Sequence, residues 1–351
     1  MKHQFLKNKS STFLYWLIVL LLISCTKTID NPIEHFAKSS VEKIKHSKII
    51  YLEDFGVLKP VDAIYINSDY IIWDDRNESM FNIIDMFSKK TISGVNKGNG
   101  PQDIISPSSF QSKNDEILIY DISQKKISKI DILSDTALTL KEVQRINFDK
   151  RIFMINCIDS NFVATGIFED YWLANINTKN EIISKVSFPL FEETKSIPKM
   201  QLSMLYISTF IKNSPDNKKI VAATQKHGLL YFFNYTNEHE LKEYKQLKYY
   251  APKFEILERG NIAFSKDNKI GFCAVDCDND FVYTLYSGKT FNSDGILNYH
   301  CDNLLIYDWE GNPLKHYILD IPLYSMKYNK EQNTIYGIAY NPEGVLIEYK
   351  L

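Results

Sequence analysis

Residues 63–73 read AIYINSDYIIW, and the pattern in this stretch is the main basis for predicting the fold. Its apolar and aromatic residues lie on both sides of a polar centre, Asn67-Ser68-Asp69. β-Branched and aromatic residues favour strands, whereas Asn, Ser and Asp favour turns because their side chains bond to nearby backbone. The stretch therefore predicts two antiparallel strands joined by a short turn.

The same pattern recurs five more times along the chain. Its polar turns are marked by Asp69, Asp115, Asn161, Asn217, Asp280 and Asn333, which are separated by 46, 46, 56, 63 and 53 residues. Two further strand-like segments follow each of the first five marked strands. Four-strand units repeated at such lengths are typical of β-propellers, in which each unit forms one blade.

The sixth unit is one strand short where the sequence stops. Residues 323–351 supply three strands, and an unassigned strand-like segment lies at residues 48–53. Placing that segment as the outer strand of the last blade closes the ring and removes an exposed edge pair. The predicted fold class is all-β: a six-bladed β-propeller with four strands per blade over residues 47–351, closed by its N-terminal strand.

Residues 1–24 have the character of an export signal. Lys2, Lys7 and Lys9 precede an uninterrupted apolar run at residues 13–23. As a helix this run is about 16 Å long, which is too short to cross a hydrocarbon core of about 30 Å. A basic region followed by a short apolar run is typical of a secretory signal peptide.

The apolar run leads into Leu22-Ile23-Ser24-Cys25, which resembles the lipobox of bacterial lipoproteins. The resemblance implies cleavage before Cys25 and acylation, for example by palmitate, at this cysteine. More than one acyl chain makes membrane anchoring stable. Residues 25–46 are polar and lack periodicity, so we interpret them as the lipidated cysteine and a flexible tether. An ordinary signal peptide, or a marginal membrane helix with a chance cysteine, stays open as the alternative.

The charge of the chain argues against nucleic-acid binding. The formal net charge is −2, and removal of residues 1–24 deletes three lysines and no acid, which gives −5. A mildly acidic chain without a basic block is a poor nucleic-acid binder.

Four cysteines remain after Cys25. Cys273 and Cys277 lie on one candidate strand about 13 Å apart, so they cannot bond to each other without a turn. The sequence favours buried thiols, and a bridge from Cys301 to Cys273 or Cys277 stays open.

The long connections are predicted to share one face of the ring. We name the strands of each blade a to d from the axis outward, so that b–c turns and d–a connections lie on one face, called the loop face. The a–b and c–d turns lie on the other, called the turn face. The longer segments are 96–108, 189–205, 248–260 and 287–303, and all of them fall on the loop face. Connecting loops carry function more often than the framework does, although surface insertions also accumulate at little energetic cost. We therefore expect the loop face to bind a partner.

The loop after the first unit, residues 96–107, is the most distinctive of these segments. Gly98 and Gly100 permit unusual backbone angles, but no helix and no GK[ST] follow, so this is not a nucleotide P-loop. We predict a mainly structural crossing between blades. The candidates for the binding face are Arg76, Lys97, Gln102, Asp103, Tyr286, Lys289, Tyr299 and His300.

Catalytic and metal signatures are weak. Asp276, Asp278 and Asp280 alternate as in a calcium loop, but Phe281 stands where the pattern needs Gly and Ser287 where it needs Glu. His227 falls on the loop face without an adjacent nucleophile. His316, on an outer strand, is expected to be exposed. We predict no catalytic residue, no metal and no cofactor.

The chain resembles the TolB-like six-bladed β-propeller lipoproteins of Bacteroidetes, and more distantly NHL-type propellers. The resemblance is carried by the lipobox, the six units, Gly98-Asn-Gly-Pro-Gln-Asp103 and Val282-Tyr-Thr-Leu-Tyr-Ser-Gly-Lys289. It implies a lipid-anchored envelope protein and brings no agreed catalytic residues. Gln102 and Ile104 depart from the tightest versions of the loop motif, which weakens the case for a shared ligand there.

These observations predict a non-catalytic binding module of the bacterial cell envelope. Its lipid would anchor it to the outer membrane, facing either the periplasm or the cell surface, and its d–a/b–c loop face would take a protein, peptide or glycan. The alternatives are a propeller enzyme, a hydrolase or lyase with its site at the axial channel, and a structural subunit of an envelope complex. The predicted inner strands offer no His, and carboxylates appear mainly in turns, which argues against the enzyme.

Overall fold

The computed structural model describes residues 30–75, 78–113, 115–134 and 137–351. The predicted export signal, Cys25 and Arg76 lie outside the described residues. Two short strands come first, β1 (Val41–Ile44) and β2 (Lys48–Tyr51).

Six antiparallel blades follow around a central axis. Blades one and two comprise β3 (Pro60–Ile66), β4 (Asp69–Asp74), β5 (Ser79–Ile84), β6 (Thr91–Asn96), β7 (Pro107–Lys113), β8 (Glu116–Asp121), β9 (Lys126–Ser134) and β10 (Ala137–Arg145). Blades three and four comprise β11 (Ile152–Ile158), β12 (Asn161–Gly166), β13 (Leu173–Ile176), β14 (Ile182–Val186), β15 (Thr209–Asn213), β16 (Lys219–Thr224), β17 (Gly228–Tyr235) and β18 (Leu241–Tyr250).

A two-stranded hairpin, β19 (Phe254–Ile256) and β20 (Ile262–Phe264), separates these from the last two blades. Blades five and six contain β21 (Phe272–Cys277), β22 (Phe281–Tyr286), β23 (Cys301–Asp308), β24 (Pro313–Leu323), β25 (Lys327–Asn329), β26 (Thr334–Tyr340) and β27 (Gly344–Lys350). The missing strand of blade six is β2, which pairs antiparallel with β27 from Lys48 opposite Glu348 to Tyr51 opposite Val345. The predicted six-bladed propeller and its closure by the N-terminal strand are confirmed.

The repeated polar turns have a conformational reason. Asn67, Asp115, Asp159, Asn217 and Asn333 all adopt positive φ, between 47° and 59°. Only Gly visits this left-handed region freely, and Asn and Asp tolerate it better than other residues do. The requirement for these residue types in the turns makes the repeat visible in the sequence.

Hydrophobic contact between neighbouring blades forms the core. Six clusters of buried apolar side chains occur, and each fills one interface between two adjacent blades. Blades one and six meet through Ile72, Ile338 and Leu346, with Ile50 of β2 in the same cluster. At the perimeter, β6 and β10 touch where Gly94 faces Leu138, and a Cβ on Gly94 would lie 2.5 Å from the Leu138 carbonyl oxygen.

The segment before the ring is packed against it. Residues 25–46 were expected to form a flexible tether, but in the described part β1 pairs in parallel with β24 and makes blade five five-stranded. Phe36 inserts into the interface between blades four and five, with its ring 5.2 Å from that of Tyr307. A four-residue strand and one isolated aromatic anchor carry no periodic signal, which is why the sequence did not reveal them.

This packed segment also corrects the expectation for His316. The residue is 2% exposed because Phe36 covers it at 5.9 Å. Its Nε2 lies 2.9 Å from the Asn303 side-chain oxygen.

The few helices lie mostly in the loop-face connections and the N-terminal segment. The α-helices are Lys199–Tyr206 and Phe291–Asp294, and the 3-10 helices are Pro32–His35, Lys38–Ser40, Leu52–Phe55, Glu192–Thr194, Glu258–Gly260 and Gly295–Tyr299. In the described part of the chain, no helix has the length and apolar character that crossing a membrane requires.

Closure of the ring by β2 can be tested with two substitutions on that strand. Ile50 is buried in the interface of blades six and one, whereas Tyr51 is about half exposed. Ile50→Ala is expected to lower the free energy of unfolding by about 2–5 kcal/mol because it leaves a cavity in that interface. Tyr51→Ala, the control, should have a much smaller effect. Urea unfolding measures both, and equal small losses would show that β2 is not needed to close the ring.

Candidate functional site

The inner strands enclose a cavity on the propeller axis. Its volume is about 210 Å³, and β3, β7, β11, β15, β21 and β25 all contribute to its wall. Every blade therefore presents its innermost strand to one shared space. An opening adjoins the cavity at each face: Trp73 and Tyr324 also line a loop-face opening, and Lys212 and Lys327 also line a turn-face opening.

Two ion pairs lie where this cavity meets the turn-face opening: Asp62, Lys212 and Lys327 line the cavity, and Asp276 lines the opening beside the two lysines. Lys327 Nζ lies 2.6 Å from Asp62 Oδ2, and Lys212 Nζ lies 3.5 Å from Asp276 Oδ1. We call these four side chains the axial quartet. The backbone N–H of Tyr328 donates to Asp276 Oδ2 at 2.8 Å. All four side chains are largely buried. Because two ammonium groups balance two carboxylates, this section of the channel contains charges but has no net charge.

The lysine of the second pair stays charged despite its burial. Burial by itself lowers the pKa of a lysine, because it disfavours the charged form. For Lys212 the carboxylate of Asp276, with smaller contributions from Cys277 and Asp62, outweighs burial and raises the pKa above its ordinary value. The Lys212 side chain is therefore a permanent cation in the channel.

Apolar and aromatic side chains line the rest of the cavity. Phe110, Met154 and Phe210 lie on three neighbouring inner strands, and Trp73 and Tyr324 lie toward the loop face. The indole N–H of Trp73 has no hydrogen-bond partner among the described residues. A guest in this cavity would contact a charged section and an apolar section at once.

The loop-face opening is a funnel of about 520 Å³. His300, Tyr324 and Tyr340 form an aromatic group on its wall, with ring centroids 6.1 to 6.4 Å apart. Burial, aided by the Lys289 ammonium, lowers the pKa of His300 below its ordinary value. The His300 ring is consequently neutral at pH 7 and presents a largely aromatic surface.

The opposite opening, on the turn face, is larger and polar. It measures about 580 Å³ and its wall includes Lys113, Asp115, Asn217 and Lys330. The sequence analysis directed attention to the loop face alone, whereas the structure has an opening on each face.

Several predicted binding-face residues serve the structure of their own loops. Gly100 N–H donates to Asp103 Oδ2 at 2.9 Å, and a Cβ on Gly98 would lie 2.6 Å from the same oxygen. From blade two, Lys126 Nζ donates to the carbonyls of Pro101 and Asp103 at 3.1 and 3.0 Å. The Gly98–Asp103 motif is thus a turn fastened by a buried lysine, as its structural interpretation predicted. Gln102 is exposed on it.

The remaining candidates divide between the surface and the interior. Lys97 is exposed, 3.8 Å from Asp75, and Lys289 Nζ donates to the His300 carbonyl at 2.7 Å. Tyr299 bonds to the Lys226 ammonium and lines the axial cavity. Tyr286 corrects the prediction: it is 1% exposed, its ring 5.5 Å from that of Phe272, so it is unavailable to a partner.

The axial quartet was missed by the sequence analysis. The sequence pattern places Asp276 in an alternating acidic turn and does not single out Asp62, Lys212 or Lys327. One feature of the sequence could have indicated it: each of four segments that form innermost strands contains a charged residue among residues that favour strands. Sequence spacing alone could not show that residues 265 positions apart, such as Asp62 and Lys327, form an ion pair.

Metal and disulfide chemistry find no support in the described regions. Within residues 30–75, 78–113, 115–134 and 137–351, no group of three or more His, Cys, Asp or Glu side chains could hold a metal ion. Asp278 accepts hydrogen bonds from the backbone N–H groups of Asp280 and Phe281, as a turn residue does. Cys157, Cys273, Cys277 and Cys301 are free thiols, so the bridge left open from Cys301 is not formed here.

His227, a loop-face candidate for acid–base chemistry, is completely buried. Its ring lies 4.5 Å from that of Tyr206 and 6.2 Å from that of Phe191, edge to face in both cases. Neither ring nitrogen has a hydrogen-bond partner among the described residues. Burial lowers the pKa of His227 to about 3. The side chain is therefore a neutral packing element under the connection between blades three and four.

Comparisons with known proteins agree with this fold. A family model described as "TolB-like 6-blade propeller-like" matches residues 35–330. The β-propeller domain of Cps50 (Swd1) from Myceliophteria thermophila is 8% identical, with a TM-score of 0.51 over 87% of this chain and 99% of that one. A Bacteroides fragilis protein described as a "putative exported protein" is 13% identical, with a TM-score of 0.51 over 88% of this chain and 99% of that one. At these identities the structural similarities show the fold alone. No curated protein matches the chain.

The buried His227 predicts a specific pH dependence of stability. The folded protein keeps His227 neutral down to a pKa of about 3, whereas the unfolded chain protonates it near pH 6.5. As pH falls from 6.5 toward 3 the unfolded state takes up a proton that the folded state does not. Stability is therefore lost by about 1.4 kcal/mol per pH unit across this window.

His227→Leu should remove this contribution. The variant is expected to be at least as stable as wild type at pH 7, because it removes two unpaired buried nitrogens. Between pH 6.5 and 4 its unfolding free energy should fall less steeply than that of wild type, as measured by urea unfolding at each pH. Parallel pH profiles would contradict the neutral buried imidazole.

Proposed function

The chain belongs to the TolB-like six-blade propeller family, and from this premise we propose that it is a lipid-anchored binding module of the bacterial cell envelope. Its loop face binds a protein or peptide partner, and the acyl chains on Cys25 hold it at the outer membrane. The lipobox resemblance at residues 22–25 supports the anchor, and the family and the B. fragilis likeness are consistent with export.

The distribution of exposed apolar side chains carries this proposal. In the described part of the chain, seventeen large hydrophobic side chains are exposed, and nine of them lie on the loop face: Leu58, Leu190, Met200, Ile256, Leu257, Phe291, Ile296, Leu297 and Tyr324. Of the remaining eight described side chains, Phe87 and Phe281 lie at the turn face and six lie within strands: Val41, Tyr51, Ile132, Val143, Tyr244 and Leu314. Exposed apolar side chains that are gathered on one face and rimmed by polar ones are typical of a protein-interaction surface.

Two features of the loop face suit a protein or peptide. The side chains of Ile296 and Leu297 project from the Gly295–Tyr299 turn of blade five and are 80% and 55% exposed. The adjoining funnel has an aromatic wall of His300, Tyr324 and Tyr340, into which a partner's side chain can insert. Aromatic and apolar side chains at the centre of an interface supply most of its binding energy.

The enzyme alternative is favoured by one observation, the presence of carboxylates in the channel. Asp62 and Asp276 each accept from an ammonium or a backbone N–H, and the inner strands contribute no histidine to the cavity. Ion-paired carboxylates of this kind are poorly placed to act as general bases. Binding therefore remains the better-supported function.

The anchor can be tested separately from the binding face. Cys25→Ser removes the thiol that would carry the diacylglycerol, so metabolic labelling with an alkyne-palmitate analogue should be lost. The variant should also leave the membrane fraction, whereas Cys157→Ser, at a buried thiol, should keep both label and fractionation. Retention of label in Cys25→Ser would refute lipidation at this residue.

The loop face can be tested by partner capture in detergent-solubilised envelopes. The captured partner is fixed to the protein by chemical cross-linking. The double variant Ile296→Ser/Leu297→Ser should no longer capture this partner, because it removes the most exposed apolar side chains of the loop face. The matched control, Phe87→Ser/Phe281→Ser, changes two exposed apolar residues of the turn face and should capture the partner as wild type does. Since all four residues are exposed, the melting temperature should change little.

Equal capture by both double variants would contradict the loop-face assignment. Capture of a glycan in place of a protein, identified by mass spectrometry of the cross-linked species, would correct the class of partner.

A further inference from the structure

We infer that the axial cavity is a binding site for a free α-amino acid with a large apolar side chain. This inference goes beyond the proposed function, because the site lies inside the ring and none of its charged residues lies on the loop face. The argument rests on the charge balance of the axial quartet, the unequal geometry of its two pairs, and the apolar section beside it.

The charge balance selects a guest with charges of both signs. The quartet brings together two ammonium groups and two carboxylates from blades one, four, five and six; Asp62, Lys212 and Lys327 line the cavity, and Asp276 adjoins it on the turn-face side. A guest with one charge would leave a net charge buried, and an uncharged guest would displace water from the ions without replacing its hydrogen bonds. A zwitterion supplies a carboxylate and an ammonium together and keeps the section neutral.

The two pairs differ in how fully they are satisfied. Lys327 and Asp62 are in close contact at 2.6 Å, and Asp62 Oδ1 also accepts from the Ala63 N–H at 2.9 Å. Lys212 is 3.5 Å from Asp276, whose other oxygen already accepts from Tyr328 N–H. Among the described residues, Asp276 is the one group in ion-pair contact with the Lys212 ammonium.

An ammonium group has three donors, so Lys212 has donors left for a guest's carboxylate. Each carboxylate has about four acceptor positions, so Asp62 and Asp276 can still accept from a guest's ammonium. The side-chain amides of Gln111 and Asn156 also line this section, but they already bond within the protein: Gln111 Oε1 accepts from Cys157 N–H at 2.9 Å, and Asn156 Nδ2 donates to Asn213 Oδ1 at 2.8 Å. The quartet therefore offers both halves of the recognition of an α-amino acid's charged end.

The rest of the cavity suits the side chain of such a ligand. Phe110, Met154 and Phe210 line it beside the quartet, and Trp73 and Tyr324 lie toward the funnel. The volume of about 210 Å³ lies below the roughly 300–1,000 Å³ of pockets that hold drug-sized ligands. A long peptide or an oligosaccharide is too large, and a peptide end brings only one of the two charges.

Wild-type protein alone gives the first test. The twenty standard L-amino acids are screened by thermal shift, and L-phenylalanine, L-leucine and any others that stabilise the protein are titrated by calorimetry. L-Phenylalanine amide and N-acetyl-L-phenylalanine are the blocked forms. We expect the free amino acid to bind at least about tenfold more tightly than either blocked form, a difference of about 1.4 kcal/mol.

Two results would overturn the inference at this stage. One is the absence of binding by all twenty amino acids. The other is binding of either blocked form as tight as that of the free amino acid, which would show a site for a single charge.

Variants then locate the site. Lys212→Met is expected to weaken binding at least tenfold, and Lys212→Met/Asp276→Asn removes both charges of one pair in case the single variant folds poorly. The control is Lys113→Met, a lysine at the turn-face opening outside the cavity. Binding that survives the double variant in a folded protein, judged by circular dichroism, would place the ligand elsewhere.

The loop-face double variant separates this site from the proposed function. Ile296→Ser/Leu297→Ser should keep amino-acid binding while losing the partner. Loss of both activities together would contradict two independent sites.

Discussion

The need to bury both faces of every blade is the constraint on which the structure depends. A four-stranded twisted sheet of apolar residues is stable only when each face packs against another, and in a ring that condition is met only when the last blade meets the first. Six hydrophobic clusters, one at each interface, meet it here. Because β2 completes blade six, the first strand of the ring and the last are held in one sheet.

The same constraint creates the channel. Once six inner strands surround an axis, side chains that are distant in sequence meet there, and the ion pair of Asp62 with Lys327 joins residues 265 positions apart. The loops outside the ring do not pack around the axis. Apolar residues such as Ile296 can therefore be exposed there without disturbing the packing of a blade. The two proposed sites therefore differ in place: the small-ligand site lies within the ring, and the macromolecule site lies on the loop face.

The sequence was sufficient for the architecture because the architecture has local signatures. Asn and Asp in left-handed turns mark five of the six blades, and strand counting identifies β2 as the closing strand. The burial of three residues could not be predicted, because it depends on packing between separate elements: Tyr286 lies in the interface of blades four and five, Phe191 and Tyr206 cover His227, and Phe36 covers His316. The axial quartet was hidden for a related reason: a charged residue within a strand does not reveal whether it faces an axis, a neighbouring blade or solvent.

The docked N-terminal segment would have a mechanical consequence in the proposed lipid-anchored form of the protein. Five residue steps separate Cys25 from Asp30, a span of at most about 18 Å. In that form, tension from the anchor would reach the Phe36 contact and the parallel ladder of β1 with β24 before it reached β2, because both precede β2 in the chain. If the segment before β2 were not packed against the ring, the same force would act directly on β2 and separate it from β27 one residue pair at a time. In that form, pairing of β1 with β24 would bear the force before it could act on the closing pair of β2 and β27.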